Sequence, residues 1–311
     1  MPTAESGPPG GLPGPSGSRT SDRLSWGWRL VLFLSLSIAL TAVLGRVAGW
    51  LSGPPSTQGG AAVRGLAAGL PAALLASWVM MSCVESRPLA ALGLCARSAA
   101  RELAGGGLVG AAIIGLLFAL FALLGWIRWE PPAGGLGAPY RALLGTSLFL
   151  GLAALLEELL FRGYPFQVLA ERFGPVVAIG ATGVGFAAAH AANPGAGTVA
   201  LANTALAGIL LGVLYWRTFN LWVTTGAHFG WNATMSLLAD LPVSGLEVSG
   251  PVFRATLTGP EILTGGAYGP EGGLALLAVL APAIGWSARS RLLRRDETVL
   301  SLDPLIGRRA T

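Results

Sequence analysis

The sequence predicts an all-α protein, a polytopic integral membrane bundle of about eight transmembrane helices. Three observations predict it. Of the 311 residues, 53% are hydrophobic and only 11% charged, against about 25% charged in soluble domains. The mean hydropathy is +0.64. Apolar runs near the roughly 20 residues that cross a bilayer as a helix recur along the chain, and none shows the period-two alternation of a membrane strand.

Residues 1–24 are Gly-, Pro- and Ser-rich ("ESGPPGGLPGPSGS") and cannot bury enough apolar surface to order themselves, so they are expected to form a disordered tail. The run after them is too long, and too closely flanked by Trp26, Trp28 and Trp50, to be a cleaved signal segment. It is expected to be a retained helix over about 28–48. Further spans are expected at about 65–84, 103–127, 142–162, 175–193, 198–216, 220–239 and 272–288. The last is short, and the fourth, fifth and seventh are interrupted by ionisable residues. Residues 25–290 would then form one transmembrane domain with its motif core at 142–240, and 291–311 a cytoplasmic tail. The connection 240–271 is long and rich in Gly and Pro, and fits either a lid or a re-entrant cap.

Every basic residue is an arginine; the 20 of them raise the pI to about 10. They sit between apolar runs rather than in one stripe with interleaved aromatics, which argues against nucleic acid and for membrane orientation. Fifteen fall on segments that share one side and five on the other. The positive-inside rule then puts both termini in the cytoplasm. The expected partners are the lipid bilayer and a protein or peptide substrate. An arginine-only, Ala- and Gly-rich composition points to a bacterial inner membrane. Cys83 and Cys95 have neither disulfide-framework nor metal-site spacing and are expected as two reduced thiols.

Ionisable groups within a span are costly and functional by default. Three clusters stand out: Glu157, Glu158 and Arg162 in "ALLEELLFRG"; Phe186 to His190 in "GFAAAHAANP"; and His228 to Asn232 in "GAHFGWNAT". Both histidines of the chain lie inside expected spans. Glu158 and Arg162 are four residues apart and share a helical face, so they can pair. Glu157 is turned about 100° from Glu158 and is left free to face a cavity. His228 and Asn232 again share a face. One free carboxylate, two imidazoles and an amide suit activation of water and stabilisation of an oxyanion. Blander roles exist for each. Glu158 and Arg162 also fit a purely structural buried pair, Asn232 and Asn203 fit helix bridging, Asn193 before Pro194 fits a helix-terminal cap, and a lone intramembrane histidine fits packing.

The three clusters, in this order on successive spans, resemble the CPBP family of intramembrane proteases, which includes the CAAX prenyl endopeptidases and the bacterial Abi-type proteins. The family pattern is Glu-Glu with an Arg four beyond the second, then Phe-x-x-x-His, then His-x-x-x-Asn. The resemblance covers residues 142–240 firmly and the outer spans by topology. It implies an endopeptidase acting on a membrane-proximal peptide bond. Glu157 would be the catalytic carboxylate that activates water with His190, His228 and Asn232 would hold the oxyanion, and Glu158 and Arg162 would support them. No cofactor is implied. A zinc-dependent version would use Glu157, His190 and His228 as ligands, although the His-Glu-x-x-His helix of soluble zinc proteases is missing. From another class, a proton-coupled transporter also buries Glu and His, but the matching broken helices of inverted repeats are not seen.

Overall fold

The apolar runs fold into eight principal helical rods. The computed structural model describes residues 24–53, 55, 57–131, 140–248 and 252–306; most of the expected N-terminal tail lies outside them. In chain order the helices are α1 (Trp26–Ser52), α2 (Gln58–Val79), α3 (Ala99–Leu123), α4 (Tyr140–Phe161), α5 (Tyr164–Phe173), α6 (Pro175–Ala189), α7 (Thr198–Thr218), α8 (Leu221–Ala233), α9 (Leu277–Arg289) and a short α10 (Glu297–Ser301). Single π-helical turns extend α2 over Met80–Val84 and α8 over Thr234–Leu238. Five segments have the length and apolarity to cross a membrane: α1, α2 with its π turn, α3, α4 continued by α5, and α7. α6 and α9 are apolar but shorter. Large apolar side chains such as Ile38, Leu108, Leu144 and Val176 point outward and are exposed, as a lipid-facing surface requires.

All eight expected spans appear as helices, with shifted ends. The fourth was expected to run past Pro165 with a kink. The helix instead stops at Phe161 and restarts as α5, which ends at Phe173. Pro165 has no N–H and disfavours helical backbone before it, but it suits the first turn of a new helix, and Gly163 between the two takes a non-helical ψ of −128°. The fifth span, expected to reach 193, ends at Ala189 with His190 as its C-cap.

The packing of α3 against α8 is set by glycine. Gly106 and Gly110 of α3 face the carbonyls of Val223 and Ala227, while Gly226 and Gly230 of α8 face the carbonyls of Leu103 and Gly107. A Cβ at any of the four would collide with backbone of the opposite helix. Two small-xxx-small pairs therefore interlock reciprocally, which lets backbones approach closely where lipid supplies no hydrophobic drive. Gly183 and Gly208 make a similar close contact between α6 and α7.

Two apolar cores result. One gathers Phe33, Met81, Leu92, Tyr164, Phe166, Tyr215 and Phe219; the other Ile114, Leu117, Phe121, Leu210, Leu214, Met235 and Leu280. Some arginines serve packing as well as orientation. Arg29 is buried between Glu85 at 2.7 Å and Glu171 at 2.7 Å, and Tyr164 Oη donates to Glu85 at 2.6 Å, tying α1 to α5 and to the turn after α2. Residues 291–306, expected as a tail, fold back onto the bundle. Asn220 donates to Asp296 at 2.9 Å, the Leu305 N–H donates to Gln167 at 3.0 Å, and Leu305 and Ile306 are buried. At the opposite end, β1 (Ile127–Glu130) pairs antiparallel with β2 (Arg254–Leu257) in a two-stranded sheet outside the bundle. Both cysteines are free.

Candidate active site

Three helices carry the polar clusters to one place. Glu157 and Glu158 lie in the last turn of α4, His190 caps the C-terminus of α6, and His228 and Asn232 lie on consecutive turns of α8. The i,i+4 reading of the first cluster holds: Arg162 Nη1 donates to Glu158 Oε1 at 3.0 Å, and both side chains are fully buried. Arg162 Nη2 also donates to the carbonyl of Gly208 on α7 at 2.9 Å. That carbonyl is reachable because Gly208 has no side chain in the α6–α7 contact.

Glu157 is turned the other way. Its Oε2 stands 3.8 Å from His190 Nε2 and 3.7 Å from His228 Nε2. This oxygen is buried and has no hydrogen-bond partner, although the side chain as a whole remains about a third exposed. The separations are too long for direct hydrogen bonds and match the spacing bridged by one water.

Outer contacts fix the tautomers. His190 Nδ1 lies 2.8 Å from the Phe186 carbonyl. A carbonyl can only accept, so Nδ1 carries the proton and Nε2 presents a lone pair toward Glu157. His228 Nδ1 lies 3.0 Å from Glu158 Oε1, so it donates there. His228 can then donate from Nε2 as well only as an imidazolium, with Glu157 and Glu158 flanking the ring. Phe186 holds the group together. Its ring packs against His190 at 4.6 Å and His228 at 5.6 Å, and the Arg162 guanidinium lies 4.7 Å over it. One aromatic ring thus separates the arginine from the two imidazoles.

His228 and Asn232 also line a largely apolar cavity of about 520 Å³ with Ile113, Leu210 and Leu211. Among the described residues nothing hydrogen-bonds the Asn232 amide, so it is available to the cavity. Asn203 and Asn193 are structural. Asn203 donates to the carbonyls of Glu271 and Gly273 at 2.7 and 2.8 Å, bridging α7 to the segment before α9. The expectation of a helix cap at Asn193 is corrected: its amide donates at 2.8 Å to the carbonyl of Ser244 in the long connection, because α6 has already ended at Ala189.

That connection contributes a residue the sequence reading missed. Glu271 is buried at the cavity wall, where Trp231 Nε1 donates to its Oε1 at 2.7 Å and the Ser244 N–H and hydroxyl donate to its Oε2. Burial pushes its carboxyl above the ordinary carboxylate range, against the opposing pull of Ser244 and Trp231. With Tyr268 Oη 3.0 Å from Thr204 Oγ1, these bonds fold the connection over the bundle as a cap. The available signal was that Glu271 is the only charged residue between Ile262 and Ala288. Glu271→Ala is expected to leave buried donors unpaired, at about 1–3 kcal/mol, and to expose 240–271 to limited proteolysis. A cleavage pattern unchanged from wild type would show that the cap is held by other contacts.

Among the described residues no group of three His, Cys, Asp or Glu side chains has metal-holding geometry. The Glu157, His190 and His228 atoms lie 3.7–3.8 Å apart, wider than the roughly 3.4 Å edge of a tetrahedral site with about 2.05 Å bonds. The second imidazole nitrogens are committed to Phe186 and Glu158, so the set as arranged does not fit zinc.

No curated protein and no solved structure matches the chain significantly. Residues 139–234 do match the family model described as the Rce1-like type II CAAX prenyl endopeptidases. The matched stretch begins just before α4, ends with α8, and contains all six residues singled out above. From α4 through α8 the chain carries a domain of the CPBP/CAAX protease family.

Proposed function

We propose that the protein is an intramembrane endopeptidase that hydrolyses a peptide bond at or within the bilayer with a glutamate-activated water. The observation that carries this reading is the orphaned, buried Glu157 Oε2 held one water diameter from two imidazole nitrogens. Glu157 Oε2 and His190 Nε2 are both acceptors. A water between them donates one hydrogen to each and keeps a lone pair for attack on a carbonyl carbon. As it attacks, Glu157 takes its proton, and the carbonyl oxygen becomes an oxyanion that His228 Nε2–H and the Asn232 amide stabilise. The proton held by Glu157 then passes to the leaving amine. Glu158 holds the Nδ1 proton of His228, and Arg162 neutralises Glu158. Substrates are peptides or proteins presenting a cleavable bond near the membrane.

The test is comparison of new N-termini in membranes that express wild type or Glu157→Gln. Termini present only with the wild type would identify cleavage sites close to membrane segments. Identical sets, with both proteins equally abundant, would refute a protease. The donor geometry also sets an expectation for metal: purified protein should contain well under one zinc per chain and keep its activity in EDTA. Stoichiometric zinc by elemental analysis, lost together with activity on chelation and restored with it, would replace the acid–base mechanism by a metal one.

A further inference from the structure

A second feature lies on the far side of Ile113 from the catalytic cavity. At the bundle end that carries Arg97, Arg101 and the residues after α9, a cavity of about 780 Å³ opens between the start of α3 and the chain beyond Arg289. Four arginines line it: Arg97, Arg101, Arg294 and Arg295. Three carboxylates are there too. Glu102 is held by Arg101 at 2.7 Å. Asp296 is occupied by Asn220 and by the first backbone N–H groups of α10. Glu297 is exposed in the first turn of α10. Arg295 packs its guanidinium over Phe219 and Trp216. Arg97 and Arg294 are exposed and, among the described residues, make no ion pair or hydrogen bond.

This basic cavity continues into an apolar furrow. A neighbouring cavity of about 560 Å³ runs between α3 and α9, walled by Val109, Leu116 and Leu120 on one side and Val279, Pro282 and Trp286 on the other. Val109 and Trp286 border both cavities, so the charged and apolar parts join end to end. From Val109 to Leu120 the furrow extends about 16 Å along the helix axis, of the order of an acyl chain. Small residues keep it open, among them Ala112 and Ala283. Unpaired arginines at the end of a transmembrane bundle, above a groove of hydrocarbon side chains, match one chemistry: a phosphodiester carrying fatty chains.

We propose that the α3–α9 notch binds an anionic glycerophospholipid, its phosphate against Arg97 and Arg294 and one acyl chain in the furrow. The test uses the delipidated full-length protein in detergent. Native mass spectrometry would count bound dioleoyl phosphatidylglycerol and dioleoyl phosphatidylcholine at equal concentration, with glycerol 3-phosphate as a chain-free competitor. Two variants are compared with wild type: Arg97→Ala/Arg294→Ala, which removes the exposed cations, and Ala112→Trp, which fills the furrow from an exposed position and leaves the cations intact. The expected result is preferential binding of phosphatidylglycerol, reduced about fivefold per arginine removed, and weakened by Ala112→Trp. Glycerol 3-phosphate should not displace the lipid at matched concentration. Equal binding of the two lipids, or unchanged binding in both variants, would overturn the proposal. Displacement by glycerol 3-phosphate with Ala112→Trp neutral would also overturn it and assign the arginines to a free phosphate compound instead.

Discussion

Replacing Glu157 by Gln is expected to abolish hydrolysis while leaving the protein folded and inserted. The amide has the shape of the carboxylate but cannot take a proton, so a loss of about 10² to 10⁴-fold in kcat is expected from the missing base alone. Stability should be nearly unchanged for a specific reason: Glu157 Oε2 has no hydrogen-bond partner in the structure, and both imidazoles stand beyond bonding distance. Nothing in the folded state is broken by the exchange. The measurements are the rate on a cleaved reporter and the thermal midpoint of the detergent-solubilised protein. Wild-type turnover in this variant would end the glutamate mechanism.

Removing Arg162 should do the opposite, unsettling the fold first. The guanidinium pairs with Glu158, bonds the carbonyl of Gly208 on α7 and stacks on Phe186. Arg162→Ala strands a fully buried carboxylate whose one remaining partner is His228, which costs about 3–5 kcal/mol. A large drop in thermal midpoint or in accumulated protein is the expected readout. The double variant Glu158→Leu/Arg162→Leu separates the two roles. Exchanging both partners for apolar side chains is commonly neutral for stability, so the midpoint should recover. Activity should not recover, because His228 Nδ1 then has no carboxylate to receive its proton. A stable, inactive Arg162→Ala single variant would instead make the arginine a direct substrate-binding group.

These contrasting outcomes follow from a pattern that was legible in the sequence in part. Local spacing was enough for what one helix decides. Glu158 pairs with Arg162 because residues four apart stack, and Glu157 faces elsewhere because adjacent residues diverge by about 100°. The eight rods were legible because lipid solvation imposes long apolar runs. What sequence spacing could not show is what separate elements decide together. Glu271 reaches the cavity from an irregular, Gly-rich connection with no periodicity to place it, and its partners Trp231 and Ser244 lie 40 and 27 residues away. The Asn193 side chain serves that same connection rather than its own helix. The donor state of His228 depends on Glu158, a contact between helices 70 residues apart, so the amino-acid order alone left it open.

The reciprocal glycine contact between α3 and α8 has a kinematic consequence. With backbone against backbone at Gly106, Gly110, Gly226 and Gly230, no side chain lies between the two helices to rotate aside, and any hinge that parts them must break the whole seam at once. His228 and Asn232 ride on one half of that seam. They are therefore stationary parts, and a peptide that slides in from the lipid plane must pass through a doorway framed by other helices. The parts free to move are α4, α6 and the cap that Glu271 fastens, and the rate of opening there, rather than the chemistry at Glu157, is the quantity that mutations along the α3–α8 seam should leave unchanged.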